Sequence, residues 1–210
     1  MKKLIFIVLL LGLVFYLKPD WFQFDSKRGA YDEQGDPKVI VFVHEKCGQP
    51  CDDATRQLKD HHVNYELYVL DESEAIVTLW KEYGGVNSFP NIIVGSDRVY
   101  GSYKGVLVAT LAENFGDRVL TSSEKKYMKK HFYEDGSPRV VLYGATWCVF
   151  CKEMRRVLDE NNVDYLNIDV DKSMYEKDMT QAMDISGFPL VYYGYKRLNG
   201  PSPKDVLSLL

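Results

Sequence analysis

Four cysteines fall as two close pairs about a hundred residues apart, Cys47 with Cys51 and Cys148 with Cys151. Disulfide exchange needs a thiolate with a second thiol in reach, so that a mixed disulfide with a substrate can be resolved inside one molecule. Two intervening residues, Val149 and Phe150, supply that reach in the second pair. Three intervene in the first, Gly48, Gln49 and Pro50, and the longer loop changes the start of whatever helix follows. Three readings of the first pair stand together: a second redox centre with Cys47 as its nucleophile, a structural disulfide, and a site kept for binding. His44, three residues before Cys47, is either a partner for a Cys47 thiolate or a surface loop histidine. Four thiolates would also satisfy a zinc or iron–sulfur centre, but a shared site requires the two pairs to be brought face to face.

The elements around the pairs decide what the thiols can do. An apolar, largely β-branched run precedes each pair, Val39 to Val43 and Val140 to Tyr143, and helical periodicity follows it, with Met154, Val157 and Leu158 on one stripe and Ala54 and Leu58 on the other. Each pair therefore sits at a strand-to-helix turn. There the unpaired N–H groups and the helix dipole favour an anion, which makes Cys148 the nucleophile and Cys151, one turn in, the resolving thiol. Trp147 offers a flat contact surface, and Val149 and Phe150 make the intervening pair apolar. A protein or peptide disulfide or thiol is the substrate class this suits.

Set against itself at an offset near one hundred residues, the chain is two copies of one unit. Pro37–Val43 leads to Cys47 as Pro138–Tyr143 leads to Cys148, and Leu58, Val63, Tyr65, Asp71 and Ser73 recur as Leu158, Val163, Tyr165, Asp171 and Ser173. Phe89-Pro90 recurs as Phe188-Pro189, Gly95 as Gly194 and Gly101 as Gly200. Within each copy the pattern predicts a second strand (65–70; 165–170), a helix opened by Asp71 or Ser73 and by a Ser173–Glu176 capping box, a hairpin around Gly95-Ser96-Asp97, and a closing helix (104–115; 203–210). The order is β-α-β-α-β-β-α. The divisions expected are residues 1–22 as a membrane-directed segment, 23–37 as a polar tether, 38–117 and 138–210 as the two domains, and 118–137 as a helical connector. Its lysines 125, 126, 129 and 130 form a solvated face, and His61-His62 ends a helix where it complements the dipole.

This order, with Cys-x-x-Cys after the first strand and a proline about forty residues later before another strand, resembles the glutaredoxins and, more broadly, the thioredoxin fold. Ala145-Thr146-Trp147-Cys148-Val149-Phe150-Cys151-Lys152-Glu153 is also similar to thioredoxin active-site strings. The resemblance implies an α/β chain of two tandem thioredoxin-fold domains and thiol–disulfide oxidoreductase activity without a cofactor or metal. It further implies that Pro189 and Pro90 are cis, and that Phe188 and Phe89 pair with substrate through their backbone. Neither copy has an acidic residue in the strand before its cysteines, where many thioredoxins carry a buried aspartate. The side-chain part of the glutathione signature is missing at Gly187-Phe188-Pro189 and Asn199-Gly200-Pro201-Ser202, so glutathione is not the expected specific partner.

Composition narrows the remaining classes. With 46% apolar and 27% charged residues the 210-residue chain is core-forming, and a net charge of −4 lacks the basic excess that nucleic-acid binding needs. Residues 4–17 are uncharged, follow Lys2 and Lys3, and precede Lys18, Trp21, Phe22 and Phe24. That segment reads as an uncleaved membrane anchor, or otherwise as a cleaved secretory signal, with the domains on the extracytoplasmic (periplasmic) side. The rival to an oxidoreductase is a non-catalytic, membrane-tethered binding or chaperone module using the aromatic grooves beside each Phe-Pro.

Overall fold

The computed structural model describes residues 28–101, 104–172 and 176–210. The apolar segment 4–17, the first part of the tether and the Ser173 cap lie outside the described residues. Among the described residues no helix is long and apolar enough to cross a membrane.

The first unit runs β1 (Val39–Val43), α1 (Gln49–Asp60), β2 (Glu66–Val69), α2 (Glu74–Glu82), β3 (Asn91–Val94), β4 (Asp97–Tyr100) and α3 (Lys104–Phe115). The second repeats it as β5 (Val140–Gly144), α5 (Val149–Glu160), β6 (Tyr165–Asp169), α6 (Glu176–Ala182), β7 (Leu190–Tyr193), β8 (Lys196–Asn199) and α7 (Pro203–Leu207), with α4 (Ser122–Met128) between the copies. The four-stranded sheets have the same order, β2-β1-β3-β4 and β6-β5-β7-β8. In each, the first two strands are parallel and the others antiparallel. The fold class is therefore two tandem thioredoxin-like α/β domains.

Every residue of β1 is buried because the two faces of its sheet are both covered. Val39, Val41 and Val43 meet Ala54 and Leu58 of α1 and Leu107 and Leu111 of α3, while Ile40 and Phe42 meet Ile76, Leu79 and Trp80 of α2. The second sheet repeats the first face, with Val140 and Leu142 against α5 and α7. Its other face is different. Val141, Tyr143, Leu190 and Tyr192 are covered by α6 together with Val108, Ala109 and Ala112 of α3 and Tyr127 and Met128 of α4. Helix α3 thus lies between the two domains, which is why its sequence is apolar nearly all round rather than striped.

The repeat also begins earlier than the strands. Lys38 N donates to Ala30 O and Arg139 N to His131 O, both at 2.8 Å, closing matching turns over residues 30–38 and 131–139. Ala30 N donates to Gly95 O, and in the second copy the His131 ring takes that place, with Nδ1 3.0 Å from Gly194 O. His61 departs from a simple dipole role. It is buried at the end of α1, with Nδ1 2.7 Å from Val119 O and 3.5 Å from the buried Glu124 carboxylate of α4, so it ties the first domain to the connector.

Candidate functional site

Both cysteine pairs are disulfide-bonded, Cys47 to Cys51 and Cys148 to Cys151. In the second domain β5 delivers the chain to a short turn, and Cys148 is itself the cap of α5, its Sγ accepting a hydrogen bond from Cys151 N at 3.1 Å. A thiolate in that position replaces the usual oxygen cap, accepting an orphan N–H at the positive end of the helix. Cys148 is 6% exposed and Cys151 wholly buried. Attack from outside can therefore involve Cys148 alone.

Around that sulfur the surface is apolar. Trp147, Val149 and Phe150 are among the most exposed large hydrophobic residues described, at 66%, 72% and 75%. With Ile185, Ser186, Gly187 and Phe188 they line a groove of about 510 Å³ that opens at Cys148. Trp147 is fixed within it, its indole N–H donating to Asp171 at 2.6 Å and its ring edge-on to Phe188 at 6.0 Å. Phe188 packs against Ala145, Cys148 and Cys151, and the Phe188–Pro189 and Phe89–Pro90 bonds are both cis. Pro189 and Pro90 are buried, and their carbonyls accept from Gly200 N and Gly101 N.

A second recess, about 390 Å³, continues past Phe188 toward α3 and is lined by Val106, Asp184, Arg197, Asn199 and Gly200 among others. Arg197 is occupied there: it donates to Met183 O, Tyr192 Oη, Asp184 O and Asn199 Oδ1. Ser202 and Asp205 cap α7 reciprocally, so neither side chain is left over for a ligand.

The first domain shows what one extra residue does. Gly48, at φ 60°, becomes the cap of α1 with no side-chain cap bond, and Cys47 is pushed back into a tight turn over Glu45–Cys47. Cys47 Sγ is no longer the helix cap. The rim is polar and charged, with Glu45, Lys46, Gln49 and Asp52 exposed where the second domain has aromatics. His44 is committed elsewhere: Nδ1 accepts from Lys46 N at 3.0 Å, Nε2 stands 3.6 Å from Asp71, and the ring lies 5.9 Å from Phe89. Ser73, not Asp71, caps α2, and the recurring pair Asp71 and Asp171 instead anchor the two cysteine turns, one through Glu45 N and the other through Trp147.

Gly144 is a site residue that motif reading missed. A Cβ there would stand 2.9 Å from Cys151 Sγ, so glycine is what lets the resolving sulfur sit against the end of β5. The signal was present in the repeat itself, because Val43 occupies the equivalent place. Among the described residues no group of three or more His, Cys, Asp or Glu side chains is arranged to hold a metal.

A four-stranded mixed sheet with a cysteine pair at the strand-to-helix turn, present twice, is the thioredoxin-like arrangement and supports a thiol–disulfide oxidoreductase-like role. The glutaredoxin family model matches residues 39–99 and again 140–197, and the chain belongs to that family. Among solved structures, the buckwheat glutaredoxin–glutathione complex is 18% identical with a TM-score of 0.32, covering 41% of this chain and 76% of its own. The holo form of glutaredoxin C1 from Populus tremula x tremuloides is 17% identical with a TM-score of 0.32, covering 42% and 85%. ERdj5 is 14% identical with a TM-score of 0.29, covering 99% of this chain and 31% of its own. No curated protein matches.

Proposed function

We propose that the second domain exchanges disulfides with protein or peptide substrates, Cys148 attacking and Cys151 resolving. The observation that carries this is the position of Cys148 Sγ as the cap of α5, at the mouth of the groove walled by Trp147, Phe150 and Phe188. The Cys148 thiolate attacks a substrate disulfide, one substrate sulfur leaves as a thiolate, and Cys151 then attacks Cys148 Sγ and releases the other. Two electrons pass to the substrate and the Cys148–Cys151 bond forms; the reverse sequence oxidises a substrate dithiol. The apolar rim favours a segment with aliphatic or aromatic residues beside its cysteine over a small polar thiol. Arg197, with four of its five N–H donors engaged within the domain, speaks against a glutathione-specific site.

The first domain serves on this reading as a second, less acidic redox centre reached through Cys47, its charged rim suiting a different partner. Residues 4–17 tether the pair of domains to a membrane with the sites on the extracytoplasmic side. The exchange proposal is tested by reduced Cys151→Ser in the full chain carrying Cys47→Ser and Cys51→Ser: offered a disulfide-bonded protein substrate, it accumulates a mixed disulfide through Cys148, whereas Cys148→Ser in the same background accumulates none. Equal trapping by Cys148→Ser would overturn the assignment of the nucleophile.

A further inference from the structure

Behind Cys151 the second domain has a small charged compartment that the first domain lacks. The point where a Gly144 Cβ would stand is 2.9 Å from Cys151 Sγ and 3.7 Å from Arg155 Nη1. Those two contacts bound the separation of sulfur and guanidinium at roughly 6.6 Å, near the ~4–6 Å over which an opposite charge favours the ionised form of a group. Arg155 comes from the turn of α5 after Cys151 and points back toward the sheet. It is half-buried, and its hydrogen bonds, to Asn167 Oδ1 at 3.4 Å and Ala145 O at 3.5 Å, are long. Among the described residues no carboxylate lies within ion-pair distance of it, unlike its neighbour Arg156, which is paired to Glu153 and Glu160.

The other titratable groups set near Arg155 are Tyr165, whose hydroxyl donates to Asp159 of α5 at 3.1 Å, and Asp169. Strands β5 and β6 pair Leu142 with Asn167 and Gly144 with Asp169, so Asn167 and Asp169 share the face that α5 covers. Asp169 Oδ1 is buried without a hydrogen-bond partner, and Oδ2 is 3.4 Å from Lys172 on the rim. In the first domain the corresponding places are held by Val43, Val69 and Thr55, and the Thr55 hydroxyl bonds back to its own helix. One copy has thus filled this compartment with uncharged groups, while the other has opened it and placed two charges in it.

We propose that Arg155 is the positioning residue of the resolving thiol, its guanidinium favouring the Cys151 thiolate through the space that Gly144 leaves open. This rests on the exchange reading above and adds where its second step draws its nucleophile. In that step the Cys151 thiolate attacks Cys148 Sγ, the Cys148–substrate bond breaks, the Cys148–Cys151 bond forms, and the departing substrate thiolate takes a proton from water. Asp169 acts in the opposite sense, opposing a second negative charge at Cys151. Arg155, outside ion-pair distance of every described carboxylate, outweighs Asp169, whose charge is shared with Lys172 at 3.4 Å.

The test is titration of the reduced full chain carrying Cys47→Ser and Cys51→Ser, followed by NMR of 13Cβ-labelled cysteine so that Cys148 and Cys151 are read separately. Arg155→Met and Arg155→Gln are expected to move the Cys151 midpoint up by about one pH unit, Arg155→Lys to restore most of it, and Asp169→Asn to move it down. An unmoved Cys151 midpoint in both neutral variants, or one that responds to Asp169→Asn alone, overturns the proposal. Thermal unfolding of the oxidised variants separates lost folding from lost charge. The titration needs no substrate, so its failure would leave exchange through Cys148 standing.

Discussion

Insertion of one glycine between Cys148 and Val149 converts the second site to the spacing of the first, and the structure says what that costs. Cys148 Sγ now accepts from Cys151 N at 3.1 Å as the cap of α5. For a thiolate, the favourable end of the helix dipole contributes about 0.3–1 kcal/mol and a hydrogen bond to a charged acceptor about 1.5–3 kcal/mol. Taking about 2 kcal/mol for the two together, the thiolate-to-thiol ratio rises roughly thirtyfold. An ordinary cysteine is a few per cent thiolate at neutral pH, so the capped one is roughly half ionised. In the insertion variant the new glycine takes the cap, as Gly48 does on α1, and this advantage goes. The thiolate population at pH 7 should fall roughly fifteenfold, yet the exchange rate only about threefold, because a more basic thiolate is the better nucleophile. The decisive assay is therefore the pH dependence of Cys148 alkylation rather than turnover. An insertion variant as acidic as the parent, or a parent Cys148 no more acidic than Cys47, would refute the argument.

Two further outcomes follow from the packing. Leu111 of α3 is fully buried against the first sheet, so Leu111→Ala should cost about 2–5 kcal/mol in chemical unfolding. Because the opposite side of the same helix covers the second sheet, that loss should appear in both domains' transitions. His131 is buried beneath Tyr192, and desolvation pushes it down to about 3, only partly opposed by its bond to Gly194. The unfolded chain then binds the proton and the native state does not, so stability is lost as pH falls below the ordinary histidine value, by about 1.4 kcal/mol per unit until about 3. Urea unfolding of His131→Gln between neutrality and pH 4.5 should lose that share of the slope.

The duplicated strand–helix order was legible because each signal occurs twice: the apolar strand, the cysteine pair, the Phe-Pro and the Gly-centred hairpin. What escaped was set by contacts between elements. The turns over 30–38 and 131–139 have the charged, Gly- and Pro-containing composition of a linker, and only their backbone bonds to the neighbouring chain mark them as part of the unit. The apolar surround of α3 announces burial without saying that a second sheet provides half of it. At the site, the cysteines and aromatics were readable by type, whereas Gly144 has no side chain to notice, and Arg155 and Asp169 look like ordinary surface charges until α5 is laid on β5 and β6. The extra residue in Cys47–Cys51 was plain in the sequence; that it transfers the helix cap from sulfur to Gly48 required the backbone.

The central claim is that Cys148 and Cys151 form a reversible exchange pair, and a redox titration of the full chain tests it most directly. Equilibration across dithiothreitol and glutathione buffers, acid quenching, alkylation and peptide mass spectrometry report the two pairs separately. The account predicts a reversible two-electron transition at Cys148–Cys151, approached equally from the oxidised and the reduced side and distinct from that of Cys47–Cys51. A Cys148–Cys151 bond that stays closed across every buffer, or that once opened does not re-form, would contradict it.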